Sequence, residues 1–282
     1  MSTSIEWTDQ TWNPVRGCSR VSAGCKNCYA ERMAARLAWP GEPFDGFAHR
    51  VRTKVGSPPL SVGRWTGKVQ LIPEKLSEPL HWRKPRRVFV NSMSDLFHEA
   101  LPESDIFRVL DVCILAADRG HTMQILTKRA ERAREVVCHY IEQRGTPGTA
   151  PPWQLGVSCE NQAAADERIP LLLQTPAAVR FVSLEPLLGP VRLSSIALPP
   201  LPPPAATRYE SGGSGGRLMA ALDWVIVGGE SGPGARPCDV AWIRSILDQC
   251  REAGVACFVK QDSGPRPGKQ GRIPDDLWSC KE

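Results

Sequence analysis

The sequence predicts an α/β fold, a complete or partial β/α (TIM-type) barrel of parallel strands, on two observations. Short apolar runs rich in β-branched residues recur along the chain, and amphipathic helical stripes fall between them. Strands buried on both faces read as near-continuous apolar runs, the pattern of a parallel sheet covered by helices. An open doubly wound sheet is the second choice. The length of 282 residues suits one such domain, and a chain of this size buries roughly three quarters of its unfolded surface without help from disulfides.

The predicted strands are Arg87–Asn91, Thr122–Leu126, Gln154–Ser158, Val179–Leu184, Trp224–Val227 and Ala256–Lys260, each too short for an independent helix. A first helical stripe (Ala30, Met33, Ala34, Leu37) precedes Pro40. A second (Ile106, Val109, Leu110, Cys113, Ala117) ends at Gly120. A third (Val136, Val137, Tyr140, Ile141) precedes Gly145, and a fourth (Ile243, Ile246, Leu247, Cys250) precedes Gly254. Two stretches interrupt the rhythm as insertions within one domain spanning residues 1–282. Residues 40–68 are Gly- and Pro-rich with scattered basic residues, and read as an ordered excursion or a flexible lid. Residues 194–217 join a proline run to a glycine-serine run and read as polyproline-like, then flexible.

Apolar residues make up 41% and charged residues 23%, which excludes wholesale disorder. The net charge of +5 permits an anionic partner without demanding one. No apolar run approaches the ~18 residues of a membrane span, so no membrane partner is expected. The N-terminal residues lack a secretory pattern. A cytoplasmic location follows as the expectation, with the ten cysteines as thiols or metal ligands rather than disulfides.

The chemistry begins at Asn13, in NPVRGCSRVSAGCKNCYA. Cys18, Cys25 and Cys28 have the spacing C-x6-C-x2-C on a loop just before the first helix, and Gly17 and Gly24 let that loop fold back. Three soft thiolates so close in sequence suit one metal centre. Three readings stand side by side. An iron–sulfur cluster held by three cysteines leaves one iron free for an external ligand. A structural zinc needs a fourth ligand, and after Cys28 no Cys or His appears until His49. The third reading is three unrelated thiols. Cys113, Cys138 and Cys250 read as small buried thiols on helical apolar faces, and Cys159, Cys238, Cys257 and Cys280 form no second C-x2-C site.

Polar residues recur just after the predicted strands, where β/α barrels collect reactive groups. Ser94 and Asp95 follow the first, Lys128 and Arg129 the second, Ser158 and Glu160 the third, Glu185 the fourth and Glu230 the fifth, while Lys260 and Gln261 close the last. Asp95 and Ser158 are equally read as helix caps or loop packing. Glu185 precedes Pro186, which removes it from a regular helix. Glu230 sits in GGESGPG, whose glycines allow close approach to a ligand. Lys128 is a candidate binder of a carboxylate or phosphate, or the start of a basic helix. Basic clusters at Arg50–Lys54 and Arg83–Arg87, near Trp39, Trp65 and Trp82, suit a nucleic-acid backbone with stacked bases, against core packing of the tryptophans.

The string NP-x2-GC-x6-C-x2-CYA resembles the cluster loop of the radical S-adenosylmethionine (SAM) superfamily, and most closely its spore photoproduct lyase-like group. The match covers Asn13, Pro14, Gly17, Cys18, Cys25, Cys28, Tyr29 and Ala30. Most of the chain is similar to a phage-associated family of radical-SAM-like three-cysteine proteins, through VFVNSMSDLFHE (88–99), ILTKR (125–129), LGVSCEN (155–161), SLEPLLGP (183–190) and VGGESGPGARP (227–237). The superfamily's usual spacing is C-x3-C-x2-C with an aromatic before the third cysteine. This chain has three more residues between Cys18 and Cys25, and Asn27 in place of that aromatic.

The resemblance implies a [4Fe-4S] cluster on Cys18, Cys25 and Cys28, SAM on the fourth iron, and a 5′-deoxyadenosyl radical as oxidant. It further implies SAM contacts from Tyr29, from Ser94 and Asp95 on the amino-group side, and from Ser158 and Glu160 on the ribose or carboxylate side. Glu230, Glu185 and Lys128 are then the catalytic candidates. A nucleic acid or nucleotide is the implied substrate for repair or modification, with a companion protein and a reductant such as flavodoxin or ferredoxin as implied partners. The alternative is a non-catalytic iron–sulfur or zinc protein that binds nucleic acid or a partner protein.

Overall fold

A computed structural model describes residues 3, 5–52, 61–146, 149–197, 219 and 221–282. The chain opens with β1 (Gln10–Trp12) and β2 (Val15–Arg16), followed by the cysteine loop and α1 (Tyr29–Arg36). An antiparallel hairpin comes next, β3 (Ala48–Arg52) with β4 (Ser61–Trp65), and then β5 (Gln70–Leu71), which pairs with β2. From there strands and helices alternate: β6 (Arg87–Val90), α2 (Glu103–Ala117), β7 (Thr122–Thr127), α3 (Ala130–Gln143), β8 (Gln154–Ser158), α4 (Gln162–Leu173) and β9 (Val179–Leu184). The series closes with β10 (Trp224–Gly228), α5 (Val240–Ala253), β11 (Ala256–Gln261) and the short α6 (Asp275–Trp278).

One seven-stranded sheet runs β1-β6-β7-β8-β9-β10-β11, with every neighbouring pair parallel. It curls into a half-barrel with β1 and β11 as its edges, so among the described residues the barrel is partial rather than complete. Side chains alternate between the two faces with period two. The convex face sends Val88, Val90, Met123, Ile125, Val157, Val182, Val225 and Val259 into a large core shared with Ile106, Leu110, Val136, Val137, Ile169, Leu172 and Ile246 of the helices. The concave face sends Phe89, Phe181, Ile226 and Phe258 into a second cluster around Trp7, whose ring lies 4.7 Å from that of Phe89 and 6.3 Å from that of Phe181. Two residues beyond Phe181 and Phe258 the same face carries Ser183 and Lys260, and Ser158 pairs with Ser183 in register. The concave side is thus apolar below and polar at the C-terminal strand ends.

Gly156 is required by this packing. A β-carbon there would stand 2.5 Å from ring carbons of Phe181, which is fully buried on the neighbouring strand. We expect Gly156→Ala to destabilise the fold by about 1–3 kcal/mol, because a filled core forces the ring off its rotamer. Urea unfolding checks this, and an unchanged midpoint would show that the ring moves freely.

The six predicted strands lie within two residues of the observed ends, but other elements depart from expectation. Helix α4 was not anticipated, since Pro170 and a run of alanines obscure its stripe. It is capped by Asn161, whose Oδ1 accepts a 3.0 Å hydrogen bond from Ala164 N. In α1 the predicted stripe is rotated: Ala30, Glu31, Ala34 and Ala35 are buried, while Met33 and Leu37 are exposed. Glu31 turns inward because Arg20 and the backbone N–H of Trp65 both bond its carboxylate. The excursion at 40–68 contains the β3–β4 hairpin, with 53–60 outside the described residues. The insertion at 194–217 lies outside them from 198 onward. Cys138, expected to be buried, is exposed. Among the described residues no helix is long and apolar enough to cross a membrane.

Candidate functional site

A cavity of about 260 Å³ opens at the C-terminal ends of the sheet strands. Trp7, Phe89 and Leu126 contribute its apolar lining. Its remaining wall includes Cys18, Cys25, Cys28, Tyr29, Ser94, Lys128, Ser158, Glu185 and Glu230. Nine of the eleven residues to which the resemblance gives a cluster, SAM or catalytic role therefore meet around one space.

The loop that brings the thiols there is fixed at both ends. Asn13 Oδ1 accepts hydrogen bonds from Met93 N at 2.9 Å and Ser92 Oγ at 3.1 Å, tying the chain after β1 to the chain after β6. Asn91, with φ of 60°, turns sharply off β6, and its Oδ1 accepts from Val15 N. Ser94 Oγ donates to Val15 O at 2.9 Å. Gly17 has φ of +91°, and a β-carbon there would overlap the Lys68 carbonyl. Only glycine fits that left-handed turn. At the far end Cys28 caps α1, and Tyr29 OH donates to Ser92 O at 2.5 Å.

The six residues between Cys18 and Cys25 are held by buried ionic groups. Arg129 Nη2 donates to Ser19 Oγ at 2.9 Å while its Nη1 donates to Asp95 at 3.1 Å. Arg20 pairs with buried Glu31 of α1. Gly24 N donates to Glu160 at 3.3 Å, and Arg168 pairs with the other oxygen of that carboxylate at 3.1 Å. Arg236 pairs with Glu230 and also donates to Ala23 O at 2.9 Å. Asn27 Nδ2 donates to Glu230 at 2.8 Å.

These contacts sort the candidates. Asp95 and Glu160, expected to contact a cofactor, sit behind the wall with their carboxylates taken up by Arg129, Thr127 and Arg168. Glu230 reaches the wall, but Arg236 and Asn27 occupy its oxygens. Lys128 Nζ donates to Ser158 Oγ, and Ser158 Oγ donates to Glu185 O at 3.0 Å. Among the described residues no carboxylate lies within ion-pair distance of Lys128, although its charge is near enough to Glu160 to help hold that carboxyl below its ordinary value. Glu185 pairs with Lys260 at 3.0 Å through Oε2, whereas its Oε1 is buried without a hydrogen-bond partner. A buried acceptor in that condition costs free energy until a donor reaches it.

Burial pushes the Cys18 thiol up to about 12, with Asp95 acting in the same direction and Arg129 against it. Burial likewise raises Cys28, opposed by the N–H groups of Glu31 and Ala30 at the start of α1. Both are therefore neutral thiols at pH 7, and a bound cation is what would draw off their protons. Among the described residues no three His, Cys, Asp or Glu side chains are gathered as ligands of a single metal ion. Asn27, Glu31, Arg168 and Arg236 were not anticipated as site residues. Asn27 had shown itself only as a break in the usual cysteine motif.

Burial works to raise Glu230, but hydrogen bonds from Arg236 and Asn27 prevail and hold it below its ordinary 4.5. A depressed folded value means the stabilisation is fully present above pH 4.5 and is lost as pH falls through the lower folded value. Glu230→Gln should therefore lower the melting temperature by a constant amount down to pH 4.5, with the gap closing on further acidification. A gap independent of pH would remove the carboxylate from this role.

A family model described as a protein of unknown function, DUF5131, matches residues 2–272. The chain belongs to that family. No curated protein and no solved structure matches it. The family match spans the cysteine loop, the half-barrel and every cavity residue named above.

Proposed function

We propose that this chain is a radical SAM-type [4Fe-4S] enzyme that acts on a nucleic acid or nucleotide. The observation that carries the reading is the shared cavity: three thiols and the side chains of Lys128 and Glu185 line one space at the strand ends. Cys18, Cys25 and Cys28 would hold the cluster. A zinc ion would want a fourth ligand, and both carboxylates on the wall are already ion-paired, Glu185 with Lys260 and Glu230 with Arg236.

When bound, the reduced cluster and SAM supply the one-electron cleavage that yields a 5′-deoxyadenosyl radical and methionine. The chain's own part is binding and exclusion of water. Lys128 offers a cation for an amino-acid carboxylate. Trp7, Phe89 and Leu126 give the interior an apolar lining that excludes water from a reactive centre.

The experiment is anaerobic reconstitution, followed by electron paramagnetic resonance of the dithionite-reduced protein with and without SAM. A four-iron signal that changes on adding SAM supports the proposal. The ion-paired anchoring of the loop favours a second reading, a rigid metal-holding module without catalysis. A cluster indifferent to SAM, or zinc in its place, would establish that reading instead.

A further inference from the structure

The protein's positive charge is concentrated in one segment. Residues 13–68 hold ten Lys and Arg against three Asp and Glu, a net +7, whereas the whole chain carries +5. Everything else is thus slightly acidic. Of the ten, Lys54 lies outside the described residues. Of the three acids, Glu31 is buried and taken up by Arg20 and Arg64. Among the described residues Arg36, Arg50 and Arg52 have no carboxylate within ion-pair distance, whereas Arg32 is held by the carbonyls of Ser231 and Pro233.

This segment also presents aromatic and apolar side chains that stand exposed among the described residues. Tyr29, Met33 and Leu37 succeed one another at i, i+4 and i+8 on the outer face of α1, and are 43%, 47% and 40% exposed. Residues at that spacing share one side of a helix. Arg36 is exposed on the same side. Just beyond the helix Trp39 is 59% exposed, and the Arg50 guanidinium stands over its ring at 5.6 Å. Arg50 Nε donates to Ala35 O, which fixes the hairpin against the end of α1. Because Tyr29 also lines the cavity, the face begins at the cavity mouth and extends about 12 Å along the helix.

We propose that the outer face of α1 and the β3–β4 hairpin form a docking track for single-stranded nucleic acid, leading an unstacked base to the cavity; this rests on the reading of the cavity as a reaction site. Charge complementarity selects the occupant, since a phosphate backbone needs cations and the segment supplies unpaired arginines. Exposed aromatic rings select the single strand, because stacking on them requires bases that are not already stacked in a duplex. A duplex also keeps its bases out of reach of a cavity of about 260 Å³.

The test is fluorescence anisotropy of labelled oligothymidylate and oligouridylate, with a mixed-sequence duplex as comparison, using protein with and without reconstituted iron. Both single strands are expected to bind, with affinity falling steeply as salt rises, and the duplex to bind about tenfold more weakly. Reversing charge in the Arg50→Glu/Arg52→Glu variant should weaken binding about tenfold or more, and Trp39→Ala about fivefold or more. All three positions are exposed, and circular dichroism would verify that the variants fold. Failure of both strands to bind at low salt, duplex binding as tight as single-strand binding, or variants that bind like wild type would each overturn the track. Iron-loaded protein that binds no strand removes the track and leaves the cluster reading standing. Strand binding by protein that cannot be loaded with iron does the reverse.

Discussion

Cys28→Ala should lose iron almost completely on anaerobic reconstitution, whereas Cys113→Ala should load like wild type. Cys28 lies on the cavity wall with Cys18 and Cys25, at the start of α1. Cys113 is fully buried on α2 in the core behind the sheet. A three-thiolate cluster has no spare protein ligand, so removing any one sulfur should open it to solvent and loss. The same result is expected for Cys18→Ala and Cys25→Ala, measured as iron and sulfide per chain and as the broad visible absorbance of the cluster. Cys113→Ala removes one buried sulfur and should lower stability modestly without touching the metal. Equal iron in the Cys28 and Cys113 variants would remove the ligand assignment altogether.

Much of this arrangement was legible in the sequence because a parallel half-barrel buries both faces of its strands. Runs such as RVFV and VRFVSL then have little polar interruption, and the residues that follow them stand at the open end. That logic puts Lys128, Ser158 and Glu185 at the strand ends, where they line the cavity. It could not foresee that Asp95, Glu160 and Glu230, at similar positions, are each paired with an arginine, or that of these three Glu230 alone reaches the wall. Those partners lie at sequence separations of 34, 8 and 6 residues, with no period that a single chain displays. Helix α4 was hidden because Pro170 sits inside it, and α1 was misrotated because Glu31 is drawn inward by Arg20. In each case a charge or a proline, placed by tertiary contacts, outweighed the local apolar pattern.

The three acid–arginine pairs share a consequence: each also holds the cysteine loop, at Ser19, at Gly24, or at Ala23 and Asn27. Arg129 is the most enclosed of the three arginines, with its side chain 4% exposed and that of its partner Asp95 9% exposed. Removing one member of a buried pair leaves the other without compensation, so Arg129→Ala should cost about 3–5 kcal/mol in denaturant unfolding. The additional bond to Glu99 adds little to that figure, because Glu99 is 62% exposed and water screens it. Replacing both partners as Asp95→Asn/Arg129→Met should recover much of the stability, since neither charge is then stranded. It should not recover the loop, because methionine cannot donate to Ser19 as Arg129 Nη2 does. A double variant that is stable yet loads iron poorly would separate the two roles, making Arg129 a positioning residue for the thiols. One that regains both stability and iron loading would confine it to the fold.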